Sequence, residues 1–167
     1  MNKTLWIMVG APGSGKSWIA ENVLIKDSKW GYISRDKVRY SMITDEDEYF
    51  EKEDLVFKRF IEEIKSSFNN NDNVIADATH LNWASRRKLL HALGQDTHPT
   101  WDIIPVMITV PLNEAIQNNK QRSGRSQLPV SALKKMFFRL TDPKNDPYQY
   151  TKIVYIDNTR KRKEKLE

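Results

Sequence analysis

Cysteine is missing from all 167 residues, which excludes disulfides and thiolate-bound zinc and suits a reducing compartment. No apolar run approaches the ~20 residues that span a bilayer, and the first apolar run begins at Leu5, leaving no room for a signal peptide. A soluble, cytoplasmic chain with no membrane partner is expected. No repeat period and no low-complexity linker divide the sequence, so its length suits one domain with a single core. Acidic residues are missing from one long interval. None lies between Glu114 and Asp142, whereas Lys120, Arg122, Arg125, Lys134, Lys135 and Arg139 all do. A second basic run, Arg160-Lys161-Arg162-Lys163, follows near the end, and the opposite sign is concentrated in Asp45-Glu46-Asp47-Glu48, Glu51, Glu53 and Asp54. The net charge of +5 favours an anionic partner, and its uneven distribution says more than the sum.

Glycine is sparse, six in all, but three of the six fall in Gly10-Ala11-Pro12-Gly13-Ser14-Gly15-Lys16-Ser17. This segment follows the apolar run 5–9 and opens a helical pattern over 18–26. The spacing G-x-x-x-x-G-K-S is that of the loop that cradles phosphates in nucleotide triphosphatases and kinases. Glycines let successive backbone N–H groups curl around phosphate oxygens where a side chain would obstruct. The helix that follows offers unpaired N–H groups and a positive dipole end to the same anion. Gly10, Gly13, Ser14, Gly15, Lys16 and Ser17 are therefore the expected nucleotide-binding residues. Lys16 reaches the terminal phosphates and the Ser17 hydroxyl holds magnesium. ATP or GTP is the ligand this pattern specifies, with Mg2+ beside it.

Five short apolar runs rich in β-branched residues, 5–9, 31–34, 74–77, 103–110 and 153–157, alternate with helical patterns over 36–42, 48–68, 83–93, 112–120 and 129–140. The first and fourth runs barely alternate, as strands covered by helices on both faces do not. The order predicts an α/β fold with a mostly parallel five-stranded sheet and right-handed crossovers. The acidic residues of 48–68 read as a solvated face, and Leu133, Met136, Phe137 and Leu140 as a core stripe. In such a sheet ligands sit beyond the carboxyl ends of the strands. The second run ends in Ser34-Arg35-Asp36-Lys37-Val38-Arg39 and the third in Asp77-Ala78-Thr79-His80. Transfer of a phosphoryl group to a hydroxyl needs a group that takes the hydroxyl proton, and Asp36 stands where an acceptor would enter. Arg39 shares its helix face and could bind an acceptor phosphate or pair with Asp77. Asp77 could instead support a magnesium ion. His80 invites a general-base reading, but exposure is the commoner fate of such a histidine, and His91 and His98 have no functional context. Arg122 and Arg125 flank Gly124 in a helix break and suit a basic lid over the transferring phosphoryl group.

Taken together, the P-loop, the R-D-x-x-R of Arg35 to Arg39, the run Asp77-Ala78-Thr79-His80-Leu81-Asn82 and the arginine-rich lid before Leu128-Pro129 resemble the 5′-hydroxyl kinase domain of phage-type polynucleotide kinases. The resemblance covers the chain apart from its tail, so residues 1–159 are expected to form a P-loop kinase domain and 160–167 a basic C-terminal tail. It implies an adenylate-kinase-like three-layer fold and transfer of the ATP γ-phosphate to the 5′-hydroxyl of DNA or RNA, in the host cytoplasm if the chain is phage-encoded. It assigns Asp36 as general base, Arg39 to the acceptor phosphate or its support, Thr79 to the nucleic-acid backbone, and Arg122 or Arg125 to the donor phosphates. His80 departs from the asparagine common in that family, and Trp18 from its threonine. The phosphatase domain fused to some relatives is absent from this sequence. The same donor machinery would also serve another hydroxyl, such as a hydroxymethylated base, a nucleoside, a sugar or an antibiotic. A nucleotide-dependent switch would need no Asp36.

Overall fold

The computed structural model describes residues 2–44, 46–48 and 50–160, the side chain of Arg125 excepted. Five strands, β1 (Thr4–Val9), β2 (Trp30–Ser34), β3 (Asn73–Asp77), β4 (Asp102–Thr109) and β5 (Val154–Asp157), form one all-parallel sheet in the order β2-β3-β1-β4-β5. Between them run α1 (Lys16–Ile19), α2 (Arg35–Met42), α3 (Glu53–Ser67), α4 (Trp83–Ala92), α5 (Leu112–Lys120) and α6 (Val130–Arg139). The expected five-stranded three-layer architecture is what the chain adopts.

Strand β1 lies at the centre, and its side chains part to opposite faces with the period of two that a strand imposes. Leu5, Ile7 and Val9 join Phe60, Ile64, Leu89 and Leu90 from α3 and α4. Met8 joins Ile19, Ala20 and Leu24 on the other side. Both faces are dry, which is why the sequence of this strand shows no polar alternation.

Two helices differ from their sequence-based bounds by more than one residue. The helix expected over 18–26 begins at Lys16, and after Ile19 it widens into a π-helical turn, Ala20–Leu24. The helix expected from residue 48 begins at Glu53. Ahead of it the acidic side chains bind backbone amides: Thr44 N–H donates to Asp47 Oδ2 (2.7 Å) and Glu48 N–H to Glu51 Oε2 (2.9 Å). Short acidic side chains compete with helical hydrogen bonding in this way. Phe50 consequently lies outside α3, and the face that packs inward is Val56, Phe60, Ile61 and Ile64.

One polar network is built around a fully buried guanidinium. Arg86 of α4 has no exposed surface, and it donates from Nε and Nη2 to the Asp146 carboxylate (2.6 and 2.8 Å), from Nη1 to His80 O (2.8 Å) and from Nη2 to Thr141 Oγ1 (3.0 Å). Tyr150 adds a hydroxyl bond to Asp146 (2.7 Å), and its pKa is raised by burial and then by that carboxylate. The network ties the loop after α6 to α4 and to the end of β3. Arg86→Leu strands the Asp146 charge, so it should destabilise the fold by about 3–5 kcal/mol. Urea denaturation at neutral pH measures this, and a loss under about 1 kcal/mol would show the network to be dispensable.

Candidate active site

The P-loop leaves the carboxyl end of β1 and closes on itself through two left-handed glycines, Gly13 (φ 81°) and Gly15 (φ 86°). Both positions are shut to a side chain. A Cβ on Gly13 would strike the Ala115 carbonyl of α5, and one on Gly15 the Asn158 amide. Two of the loop's carbonyls are held by amide side chains: Asn118 Nδ2 donates to Gly13 O (2.8 Å) and Asn158 Nδ2 to Ser14 O (2.9 Å). Gly10 sits against the Ser14 hydroxyl, where a Cβ would come 2.7 Å from Oγ. That hydroxyl is buried without a hydrogen-bond partner among the described residues, and the Ser14 N–H donates to Ala11 O (3.1 Å).

Lys16 is buried at the floor of the cleft, its ammonium donating to Ala11 O (3.2 Å). Burial lowers its pKa; Asp77 and Asp36 oppose that effect and Arg122 adds to it. Asp36, Asp77 and Arg122 thus all act on Lys16 electrostatically. The Ser17 hydroxyl donates to Asp77 Oδ2 (2.7 Å), and the Tyr32 hydroxyl makes a short bond to the same oxygen. Ser17 therefore directs its proton at Asp77 and its lone pairs elsewhere, a donor set that suits a hard cation such as Mg2+. Tyr32 went unremarked in the sequence. Its pKa is raised by burial first and Asp77 second, which keeps it a proton donor.

The cleft beside the loop is lined by Lys16, Ser17, Asp77 and Thr79 from the P-loop and the end of β3, by Arg35, Asp36, Arg39, Phe50 and Glu53 from α2, the turns ahead of α3 and its first residue, and by Arg122, Ser126, Leu128 and Met136 from the lid segment and α6. Asp36 stands in the first turn of α2, whose N-cap Ser34 accepts from Lys37 N–H (3.3 Å). Arg39, three residues on, donates to the Asp36 carboxylate (2.5 Å) and through Nε and Nη2 to Glu53 (2.9–3.2 Å). Arg35 pairs with Glu53 as well. Burial lowers the Arg35 pKa and Glu53 resists that shift.

Most of the expected site residues meet in this cleft, with four amendments. Arg39 pairs with Asp36 and Glu53, while Asp77 takes hydroxyls instead of a guanidinium. Glu53, read as part of a solvated face, is the carboxylate that fixes both arginines. Met136, read as core, lines the lid side of the cleft. His80 is buried rather than exposed. The expected contribution of Arg125 and the tail beyond Arg160 lie outside the described residues. The lid loop itself is closed at its base by Asn119, which donates to Leu128 O (2.7 Å) and accepts from Leu128 N–H (3.0 Å).

A model of the AAA domain matches residues 5–143. Among solved structures, a chain of the Pnkp1/Rnl/Hen1 RNA repair complex is 26% identical with a TM-score of 0.68, over 83% of this chain and 44% of that one. The present chain thus spans less than half the length of that relative. A fungal RNA kinase (16% identical, TM-score 0.56, 92% of this chain and 75% of that chain) and a gluconokinase from Sinorhizobium meliloti (17%, TM-score 0.55, 93% and 82%) share the fold. The fold is that of P-loop kinases, which bind nucleotides. No helix among the described residues is long and apolar enough to cross a membrane.

His80 joins β3 to the loop before α4 with a left-handed backbone (φ 42°), and its ring nitrogen Nδ1 bonds Met8 O (2.8 Å). Burial pulls its pKa down to about 3, with Arg35, Arg86 and Lys16 adding to the effect against the Met8 bond. A base this weak is neutral throughout the physiological range. Because the unfolded chain binds the proton first, the contribution is complete above about pH 6.5 and is lost as pH falls toward 3. At pH 5 the wild type should have lost about 2 kcal/mol on this account. His80→Asn, which tolerates a left-handed backbone, should lose less between pH 7 and 5 when both are unfolded in urea; equal losses would refute this.

Proposed function

Because the chain belongs to the AAA-domain family, we propose that it is a P-loop phosphotransferase that moves the γ-phosphate of ATP to the 5′-hydroxyl of a polynucleotide. The observation that carries this reading is the Asp36 carboxylate, held by Arg39 on the cleft that Lys16 floors. A nucleotide switch has no use for such a group. A kinase needs it to orient an incoming alcohol and take its proton as the oxygen attacks phosphorus.

The parts divide by charge. The backbone amides of Gly13, Gly15 and Lys16 and the Lys16 ammonium meet the outer phosphates of ATP. Arg122, with Arg125 from the same lid, meets the negative charge that grows on the transferring group. Ser17 Oγ, with Asp77 in support, would hold a magnesium ion, which would supply positive charge against that of the nucleotide. Asp36 accepts the acceptor's proton, and Arg39 with Thr79 steadies the acceptor. The likeness to the RNA repair chain supports a nucleic-acid acceptor. So do Lys120, Lys134, Lys135 and Arg139, which are exposed on α5 and α6 beside the lid and offer a polyanion a basic flank.

Asp36→Asn should lower kcat on a 5′-hydroxyl oligonucleotide by about 10²- to 10⁴-fold, with the ATP dissociation constant within a few-fold of wild type. A variant that keeps its rate removes Asp36 from the chemistry. The acceptor is decided by labelled-ATP transfer to 5′-hydroxyl DNA, 5′-hydroxyl RNA, 5′-blocked oligonucleotides, nucleosides and gluconate. Product on small molecules alone would reject the polynucleotide, and product on blocked ends would select a hydroxyl on a base.

A further inference from the structure

The acceptor side of the cleft contains one side chain that phosphate and proton chemistry do not require. Phe50 lines it next to Asp36, Arg39 and Glu53, yet the residue is 54% exposed. Its place is not an extension of the core. Helix α3 starts only at Glu53 and packs inward through Val56, Phe60, Ile61 and Ile64, so Phe50 precedes that face rather than continuing it.

The ring is nevertheless seated. The Arg39 guanidinium lies 5.1 Å from its centroid, within cation–π range, and that guanidinium is buried and fixed by Asp36 and Glu53. The neighbouring arginine makes the same contact with a different result. Arg35 lies 5.2 Å from the ring of Phe57, which packs against the core. One phenyl of the pair is thus structural, and the other is presented to the cleft mouth beside the carboxylate that would bind the alcohol.

We propose that Phe50 stacks against the base of the acceptor's terminal nucleotide, which restricts acceptors to hydroxyls that carry a base. The proposal rests on reading Asp36 as the group that receives the acceptor hydroxyl. Every nucleobase has a π-face, so stacking on an aromatic side chain tolerates any sequence, whereas a sugar or polyol offers no such face. Arg39 links the two ends of the arrangement. It steadies Asp36 through a hydrogen bond and Phe50 through its ring, so the acceptor's hydroxyl and base are aligned by one guanidinium.

The test compares wild type, Phe50→Ala and Phe50→Trp on 5′-hydroxyl oligonucleotides that end either in a normal nucleotide or in an abasic tetrahydrofuran residue. With wild type, loss of the terminal base should lower kcat/KM by about 5- to 150-fold, chiefly through KM. Phe50→Ala should lose a similar factor on the normal end and show little further loss on the abasic one, and Phe50→Trp should restore discrimination. An equal abasic penalty in wild type and Phe50→Ala overturns the proposal, as does the absence of any penalty in wild type. If wild type phosphorylates neither kind of 5′-hydroxyl end, the polynucleotide reading itself falls and Phe50 with it, an outcome visible before any variant is made.

Discussion

The constraint on which the cleft depends is that a short loop must turn its amides inward and keep its carbonyls out. Left-handed backbone at Gly13 and Gly15 makes the turn possible, and inside the loop Ala11 O accepts from Ser14 N–H (3.1 Å) and from the Lys16 ammonium (3.2 Å), which leaves the carbonyls of Gly13 and Ser14 to be held from outside. Two amide side chains supply the restraint. Asn118 is 105 residues away in sequence from Gly13, and Asn158 is 144 from Ser14. The amide of Asn158 is in turn fixed by its own backbone, which donates to Thr109 O at the end of β4 (2.8 Å). The loop is therefore a local motif in sequence and a long-range object in structure. It exists only after β1, β4 and β5 have paired, and its geometry is set by the register of the sheet.

The same sheet sets the remaining distances. Parallel pairing of β2 with β3 puts Ser34 opposite Asp77, and pairing of β3 with β1 puts Asp77 within reach of the Ser17 hydroxyl. The backbone N–H of Gly10 donates to Thr79 O (3.0 Å), joining the start of the P-loop to the end of β3. Three strand ends are thereby locked together before any ligand arrives. Preorganisation of this sort matters because a donor already aimed at the phosphate needs no reorganisation when charge develops.

The parts of this arrangement that follow from local chemistry could be read from the sequence. The glycine spacing and the apolar runs on either side fixed the loop, the five strands and the strand-end rule that pointed to Asp36 and Asp77. What escaped reading is what depends on which elements face each other. Glu53 is one acid among seven in the stretch from Asp45 to Asp54, and nothing in its neighbours marks it as the partner of Arg35 and Arg39. The turns ahead of α3 decide that, because they delay the helix until Glu53 faces α2. Asn118 and Asn158 were equally silent, since an asparagine in a helix or after a strand has no pattern of its own. His80 could have been suspected from its left-handed backbone, but only coordinates reveal a backbone angle. Arg86 is the sharpest case: the first of the three consecutive basic residues Arg86-Arg87-Lys88 reads as surface, yet its partner Asp146 comes from a loop 60 residues on.

Charge balance separates the two ends of the cleft and bears on what can enter it. On the acceptor side Arg35 and Arg39 face Asp36 and Glu53, two cations against two carboxylates, and the guanidiniums are already committed to those partners. At the loop, Asp77 and Arg122 both act on Lys16, and the hydrogen bonds to Asp77 come from neutral hydroxyls. The donor end is therefore the cationic one. An acceptor bringing phosphates of its own to the far end would compete with Glu53 for Arg39, and any such contact would be won against an existing short-range ion pair. On the proposed reading, the terminal alcohol and base occupy the balanced end, and the following phosphates lean outward toward exposed lysines and arginines of α5 and α6. That division lets Asp36 work as a proton acceptor without the acceptor's phosphates beside it, because the polyanion's charge is met at the rim and not at the carboxylate.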